Sequence, residues 1–318
     1  MLAQLQKKYS NDMRVVFRVY PLIGTPERPL HDKAAIAAQA AQAAGMQGKY
    51  WEMHDLLFQM QPEWNALTVE QFQEWVTKRA ELMGLDGTKF IADMTSANTV
   101  DMIHQAWDEY STLRIPYTPF LLVNGKIWQD NLPLNYDTIS MIVKLILLEK
   151  KQFTTCPPMT IDPLKKYTAT LHTSKGDIVI ELYLDKAPLA VNSFVFLARN
   201  GWFNGIIFHR VVTGFVAQAG DPTGSGFGGP GYAFDNEISD LKFDKAGLVG
   251  MANSGAGSNG SQFFITYRPA PELDGSFTIF GYVVAGMDVV NKLAPRDPSS
   301  QPNLPPGDVI ESVTIDEK

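Results

Sequence analysis

The hydrophobic period of this chain changes near residue 167, and that change limits the possible folds more than any other feature. Before it, apolar residues recur at helical spacing; after it, they alternate as they do along strands with one buried face. A chain of 318 residues has room for about two domains of roughly 150 residues each. The change of period therefore predicts two domains of different class, over 1–150 and 167–318, with a linker over 151–166.

The first part reads mainly as helix. "DKAAIAAQAAQAAG" is alanine-rich and stops at Gly45. "GKYWEMHDLLFQM" carries apolar residues at helical spacing, and Thr68 with Gln71 forms a capping box ahead of "FQEWVTKRAELMG". "ANTVDMIHQAWDEYSTL" and "NYDTISMIVKLILLEKK" are further amphipathic stretches. Two runs read as strands: "RVVFRVYPL" at 14–22, and "PFLLVNGKIW" at 119–128 with an Asn124-Gly125 hairpin turn.

The second part is expected to be all-β. "YTATLHT" alternates, "SKGD" turns, and "DIVIELYL" runs on as a second strand. Pro188 opens a helix at the position where proline is tolerated, and a second helix is expected from Met287 to Leu293. Short strands and many glycines fill the rest, and "DVIESVTI" closes the pattern. This predicts a closed barrel of about eight strands capped by two helices. Between the parts, "FTTCPPMTIDP" reads as a semi-stiff linker.

Charge and cysteine usage exclude several functions. The net charge is -7 and there is no basic block, Lys150-Lys151 and Lys165-Lys166 being only pairs, so nucleic acid is not the expected partner. The apolar run Ile139 to Leu148 is broken by Lys144 and falls short of the ~20 residues of a membrane span. Met1 is not followed by the apolar core of a signal peptide. Cys156 is the single cysteine, which rules out an internal disulfide, dithiol cycling and a thiolate metal cluster within one chain. None of the five histidines is paired at the i, i+4 spacing of a helical zinc site. They read as structural or surface residues, and no metal is expected.

One stretch asks for a function. "FHRVVTGFVAQAGD", Phe208 to Asp221, sets Arg210 in a run that is otherwise nearly all apolar, with no acid until Asp221. Burying an unpaired guanidinium costs several kcal/mol or so. A pocket-facing arginine whose apolar neighbours form the wall resolves the conflict. His209, next to it, falls on the opposite face by strand alternation and reads as structural. "GSGFGG", Gly224 to Gly229, matches a dinucleotide pattern but opens no helix, so it reads as a glycine-rich loop. Asn259 fits a glycosylation pattern but reads as structural.

Four stretches, "FHRVVTGFVAQAGD", "GLVGMANSGAGSNGSQFFIT", "LDGSFTIFG" and "VVAGMDVV", together resemble the cyclophilin family of peptidyl-prolyl isomerases over Tyr167 to Ile315. The resemblance implies that Arg210 faces the isomerising X-Pro bond and that Gln218 supplies an amide near it. It implies a proline pocket of Phe215, Val216, Phe264 and Leu273, with catalysis by Arg210, Phe215, Gln218 and Phe264. Ala252 and Asn253 would hold the peptide backbone, with Gln262 beside them. Glu272 stands where the family often has tryptophan and Phe277 where it often has histidine, which is expected to weaken cyclosporin binding. The implied partners are proline-containing peptides and unfolded proteins, and no cofactor is needed. A non-catalytic peptide-binding chaperone is the alternative function.

The first part resembles the thioredoxin-like domain of the disulfide-oxidoreductase (Dsb) type with a helical insert. The matching pieces are "VVFRVYPL", the alanine-rich helix, "GKYWEMHDLLF" and Thr118-Pro119 before a strand. The resemblance implies an incomplete α/β layer, a short sheet under helices, with a cis Thr118-Pro119 bond. The family's first strand and C-x-x-C would precede Met1. Either they belong to chain outside this sequence, in which case an extracytoplasmic bacterial location follows, or the redox chemistry is lost and the domain serves in binding.

Overall fold

The computed structural model describes residues 1–25, 28–129, 131–301 and 304–318. By internal packing the chain divides into two units, Met1–Met13 with Leu134–Lys318, and Arg14–Pro133. The first unit begins with helix α1 (Leu2–Lys8).

The unit Arg14–Pro133 is helical. Its order is β1 (Gly24–Thr25), β2 (Arg28–Pro29), α2 (Ala34–Gly45), α3 (Tyr50–Gln59), α4 (Gln61–Trp64), α5 (Val69–Leu82), α6 (Gly87–Met94), α7 (Ala97–Thr112), β3 (Leu122–Val123) and β4 (Lys126–Ile127). Helix α2 ends at Gly45 as expected, and the Thr68–Gln71 capping box opens α5. Small side chains let α2 sit at the centre: Ala40, Ala41, Ala43 and Ala44 pack with Met53, Leu57, Phe72, Val76, Phe90 and Met94. The Thr118–Pro119 peptide is cis. Asn124 and Gly125 both take positive φ, the geometry of a two-residue hairpin turn between β3 and β4.

Two expectations fail in this unit. Residues 14–22 form no strand, and the short sheet under helices is absent among the described residues. Only two ladders of two residues each are present, β1 with β2 and β3 with β4. Strand propensity is realised through a neighbouring strand and a buried face. Here Val16 and Phe17 are exposed, and among the described residues the stretch at 119–128 pairs only with itself.

The first unit continues with α8 (Tyr136–Leu148), capped by the Asn135 side chain. It packs on α1 through Tyr9, whose hydroxyl lies 2.6 Å from Ser140 Oγ. The elements of one large sheet and its helices follow: β5 (Tyr167–Thr173), β6 (Gly176–Leu182), α9 (Pro188–Arg199), β7 (Ile206–Ile207), β8 (Arg210–Val212), β9 (Val216–Ala219), β10 (Leu248–Met251), β11 (Phe263–Thr266), β12 (Ile279–Ala285), α10 (Met287–Val290) and β13 (Val309–Glu317). Helix α10 stops at Val290, short of the expected Leu293. The stretch expected to be a linker is packed in this unit: Phe153 N–H donates to Pro230 O at 2.8 Å, and Ile161 is buried in the core.

Nine strands form one antiparallel sheet in the order β7-β13-β5-β6-β12-β10-β11-β9-β8. The two edge strands, β7 and β8, are separated in sequence only by residues 208 and 209. The sheet must therefore curl until its edges lie within the reach of that short crossing. No ladder joins β7 to β8 among the described residues; the sheet is curled, and its two edge strands meet at this seam. The concave side holds the main core, including Ile178, Ile180, Phe194, Phe203, Phe263 and Phe280. Among the described residues no helix is long and apolar enough to cross a membrane.

Candidate active site

Directly opposed residues in an antiparallel ladder project to the same face. Arg210 lies opposite Gln218, Gln218 opposite Phe264, and Phe264 opposite Gly250. These four make one row across β8, β9, β11 and β10. Their neighbours along each strand, Val211, Ala217, Ala219, Val249, Met251, Phe263 and Ile265, face the main core. The row lies on the other face, where a separate apolar cluster is built.

That cluster holds Val216, Phe243, Leu248, Phe264, Ala270 and Ile279, with Phe215, Ala252, Leu273 and Phe277 packed against it and half-buried. Gly250 is required there, because a Cβ would come 2.6 Å from Phe264 Cζ. Phe264 is 4% exposed, stacked on Phe243 and edge-on to Phe277, each at a centroid distance of 5.6 Å. The structure thus brings Phe215, Val216, Ala252, Phe264, Leu273 and Phe277 to one apolar surface beside Arg210 and Gln218.

Arg210 is half-buried, with its guanidinium carbon 5.9 Å from the Phe215 ring centroid. Among the described residues it makes no ion pair within 4.0 Å. Phe215 carries a second cation, Arg268, at 5.6 Å, itself paired to Glu272 at 2.8 Å. Sequence reasoning missed Arg268; its only signal was the i, i+4 spacing to Glu272.

The amides split into two kinds. Gln218 Nε2 donates to Gln262 Oε1 at 3.0 Å, while Gln262 Nε2 donates to the carbonyls of Gly226 and Gly228, both at 2.9 Å. Gln218 Oε1 is left without a partner among the described residues. The Asn253 side chain is spent on the loop, donating to Asn236, Asn259 and the Ser276 carbonyl. Its backbone N–H and C=O have no partner among the described residues, whereas Ala252 N–H donates to Gln262 O at 2.9 Å. Of the two residues expected to offer backbone groups, Asn253 leaves its N–H without a partner among the described residues, and Ala252 does not.

The glycine-rich loop is wound on a buried carboxylate. Asp221 is fully buried and accepts from the N–H groups of Thr223, Ser225 and Gly226 and from the Thr223 and Ser225 hydroxyls. Burial alone would raise its pKa; the hydrogen bonds from Thr223, Gly228 and Gly226 outweigh it and hold the pKa below the usual carboxylate value. Asn259 is fully buried and bonded to Asp235 O and Asn236, as a structural asparagine would be.

His209 faces inward, 2% exposed, with neither ring nitrogen hydrogen-bonded among the described residues. Burial pushes its pKa down to about 4; the Asp221 carboxylate opposes this, and the Arg296 and Arg210 charges add to it. It is a neutral core residue at physiological pH.

Comparison with known proteins places these residues in a family context. The pattern described as cyclophilin type peptidyl-prolyl cis-trans isomerase/CLD matches residues 168–315, and one described as thioredoxin matches residues 1–144. The peptidyl-prolyl cis-trans isomerase A of Mycobacterium tuberculosis is 44% identical over 181 residues, covering 50% of this chain and 98% of that protein. A peptidyl-prolyl cis-trans isomerase of Schizosaccharomyces pombe is 48% identical over 150 residues, covering 46% of this chain and 97% of that protein. A solved cyclophilin type isomerase of Cryptosporidium parvum, determined in the presence of the dipeptide ala-pro, is 35% identical with a TM-score of 0.44, covering 47% of this chain and 98% of that one.

Proposed function

The chain belongs to the cyclophilin-type peptidyl-prolyl cis-trans isomerases, and on that basis we propose that it isomerises X-Pro bonds in peptides and unfolded proteins at the Arg210–Gln218–Phe264 row. The observation that carries the assignment is that row itself, one guanidinium and one amide at the rim of an apolar cluster separate from the core.

Rotation about an X-Pro bond faces a barrier of about 18–20 kcal/mol because the amide is conjugated. Lowering it takes neither nucleophile nor cofactor. The proline ring sits against Phe215, Val216, Phe264 and Leu273, with Phe277 at the edge. Arg210 donates to the prolyl nitrogen as it becomes pyramidal and conjugation is lost. A guanidinium keeps its charge and several fixed donors at any working pH. Preorganised donors act most strongly in a water-poor site where charge develops in the transition state. Gln218 Oε1 accepts from the substrate backbone beside Arg210. Asn253 pairs with the extended peptide through its backbone, with Ala252 and Gln262 forming the wall behind.

The same reading takes 167–318 as the isomerase domain, 1–150 as the thioredoxin-like domain and 151–166 as the stretch between, supported by the two matched spans. It takes the curled sheet as a closed barrel, supported by the short crossing between its edges. The net charge of -7 favours peptides over nucleic acid as partners. A protease-coupled assay on a short X-Pro peptide tests the proposal. Acceleration proportional to protein concentration is expected, and no acceleration over the uncatalysed rate overturns it.

A further inference from the structure

We infer that the segment from Lys144 to Phe153, at the end of α8 and just beyond it, positions the active-site amides Gln262 and Gln218 by gripping the loop that Gln262 is bonded to. The inference rests on the isomerase reading for its kinetic consequence and on geometry alone for the coupling.

The loop between Asp221 and Gly231 is held from two sides. Inside, the Asp221 carboxylate and the Gln262 amide take its N–H and C=O groups. Outside, Lys144 Nζ donates to Thr223 O at 3.0 Å, Gln152 Nε2 to Gly229 O at 2.9 Å, and Phe153 N–H to Pro230 O at 2.8 Å. Leu148 is 4% exposed, and a Cβ on Gly228 would stand 3.1 Å from its methyl group. A Cβ on Gly231 would stand 2.7 Å from Gln152 Cβ, so glycine alone permits this approach. Phe153 is anchored in turn against Phe196, Trp202 and Tyr232.

The grip reaches the site through one rigid group. A carboxamide is planar, so Gln262 Nε2, bonded to the loop, cannot move without moving Gln262 Oε1. That oxygen accepts from Gln218, which lies directly across the ladder from Arg210. Displacing Gly226 and Gly228 therefore turns the Gln262 amide and releases Gln218. Leu148, Gln152 and Phe153 lie between the two matched family spans, 1–144 and 168–315. Apart from Lys144, which ends the first span, the grip is thus made by residues that neither family pattern covers.

The test uses the full chain. Gln152→Glu keeps the shape but cannot donate to Gly229 O; Gln152→Lys restores a donor. Lys144→Met, at an exposed position, removes a second of the three outer contacts. Two readouts are taken on each: the side-chain amide resonances of Gln218 and Gln262, and kcat/KM on an X-Pro peptide. Gln152→Glu and Lys144→Met are expected to shift both amide resonances. They are expected to lower kcat/KM about three- to tenfold, a fraction of what a full 1 Å misplacement costs. Gln152→Lys is expected to restore both readouts. Unmoved Gln218 and Gln262 amides overturn the inference whatever the activity, as does a rate loss that Gln152→Lys does not repair. A wild-type chain without activity whose amides still move would sink the isomerase reading and leave the coupling standing.

Discussion

Arg210→Ala separates a substrate-facing arginine from a structural one, because the structure gives the two roles opposite signatures. On the stability side little is at stake. Arg210 is half-buried and makes no ion pair within 4.0 Å among the described residues. Its clearest contact is the Phe215 ring at 5.9 Å, an interaction of about 0.5–1 kcal/mol at such a site. Phe215 keeps Arg268 at 5.6 Å on its ring. The Asp297 carboxylate, which feels the Arg210 charge, owes its lowered pKa first to Ser299 and Ser300. The expected cost is therefore about 1 kcal/mol, a Tm shift of roughly 2–4 °C for a domain of this size. On the activity side, loss of one preorganised donor in a transition state costs on the order of 10²–10³ in rate, about 3–4 kcal/mol. Protease-coupled kinetics on an X-Pro peptide gives kcat/KM, and calorimetry gives Tm. Arg210→Lys should recover only part of the rate, since an ammonium lacks the planar fork of donors. Near-normal activity with a Tm many degrees lower would refute the reasoning and make Arg210 a structural residue.

Two further outcomes follow from the same site. Phe264→Ala should cost about 3–5 kcal/mol in urea unfolding, as expected for a buried ring stacked in a cluster, and should weaken X-Pro peptide binding; a loss below about 1 kcal/mol would contradict its packing role. His209 should make this unit acid-sensitive: its folded pKa of about 4 lies below the ordinary histidine value of 6.5. Its contribution is complete above pH ~6.5 and falls as pH drops toward ~4, by about 3 kcal/mol in all. His209→Gln should flatten that part of the stability-pH curve, and parallel curves for the two proteins would show that His209 is not the cause.

How much of this was legible in the sequence depends on whether the signal was local. Helix ends were, because caps are written in adjacent residues: Gly45, Thr68 with Gln71, and Pro188 all sit where expected. Helix α6 has no counterpart in the sequence reading; its start is set by the Asp86 side chain, which caps Lys89 N–H. The strand at 14–22 failed for the opposite reason: its pattern is local, but a strand needs a partner that the pattern does not name. In the site, Phe215, Val216, Phe264 and Leu273 could be grouped by family resemblance. The hydrogen-bonded route from Gly226 and Gly228 through Gln262 to Gln218 could not, since it joins residues more than thirty positions apart by side-chain bonds that leave no periodic trace.

The seam explains where the arginine is. Arg210 opens the edge strand β8, immediately after the short crossing from β7, and an edge strand with one neighbour is ordinarily the least constrained part of a sheet. Here the open edge is covered. Arg296 pairs with Val211 through both backbone groups, at 2.6 and 2.9 Å, and its guanidinium donates to the His209 carbonyl and, at 3.1 Å, to the Pro305 carbonyl. The residues on either side of Arg210 are thus fixed from the seam side, while Gln218 fixes it from the sheet side. Phe208 and His209 are buried in the crossing itself, which anchors it in the core. The curl of the sheet therefore does more than enclose apolar side chains. It brings Arg296 against an otherwise free edge, so that the one charged group the proposed chemistry needs is carried on a strand held along both sides.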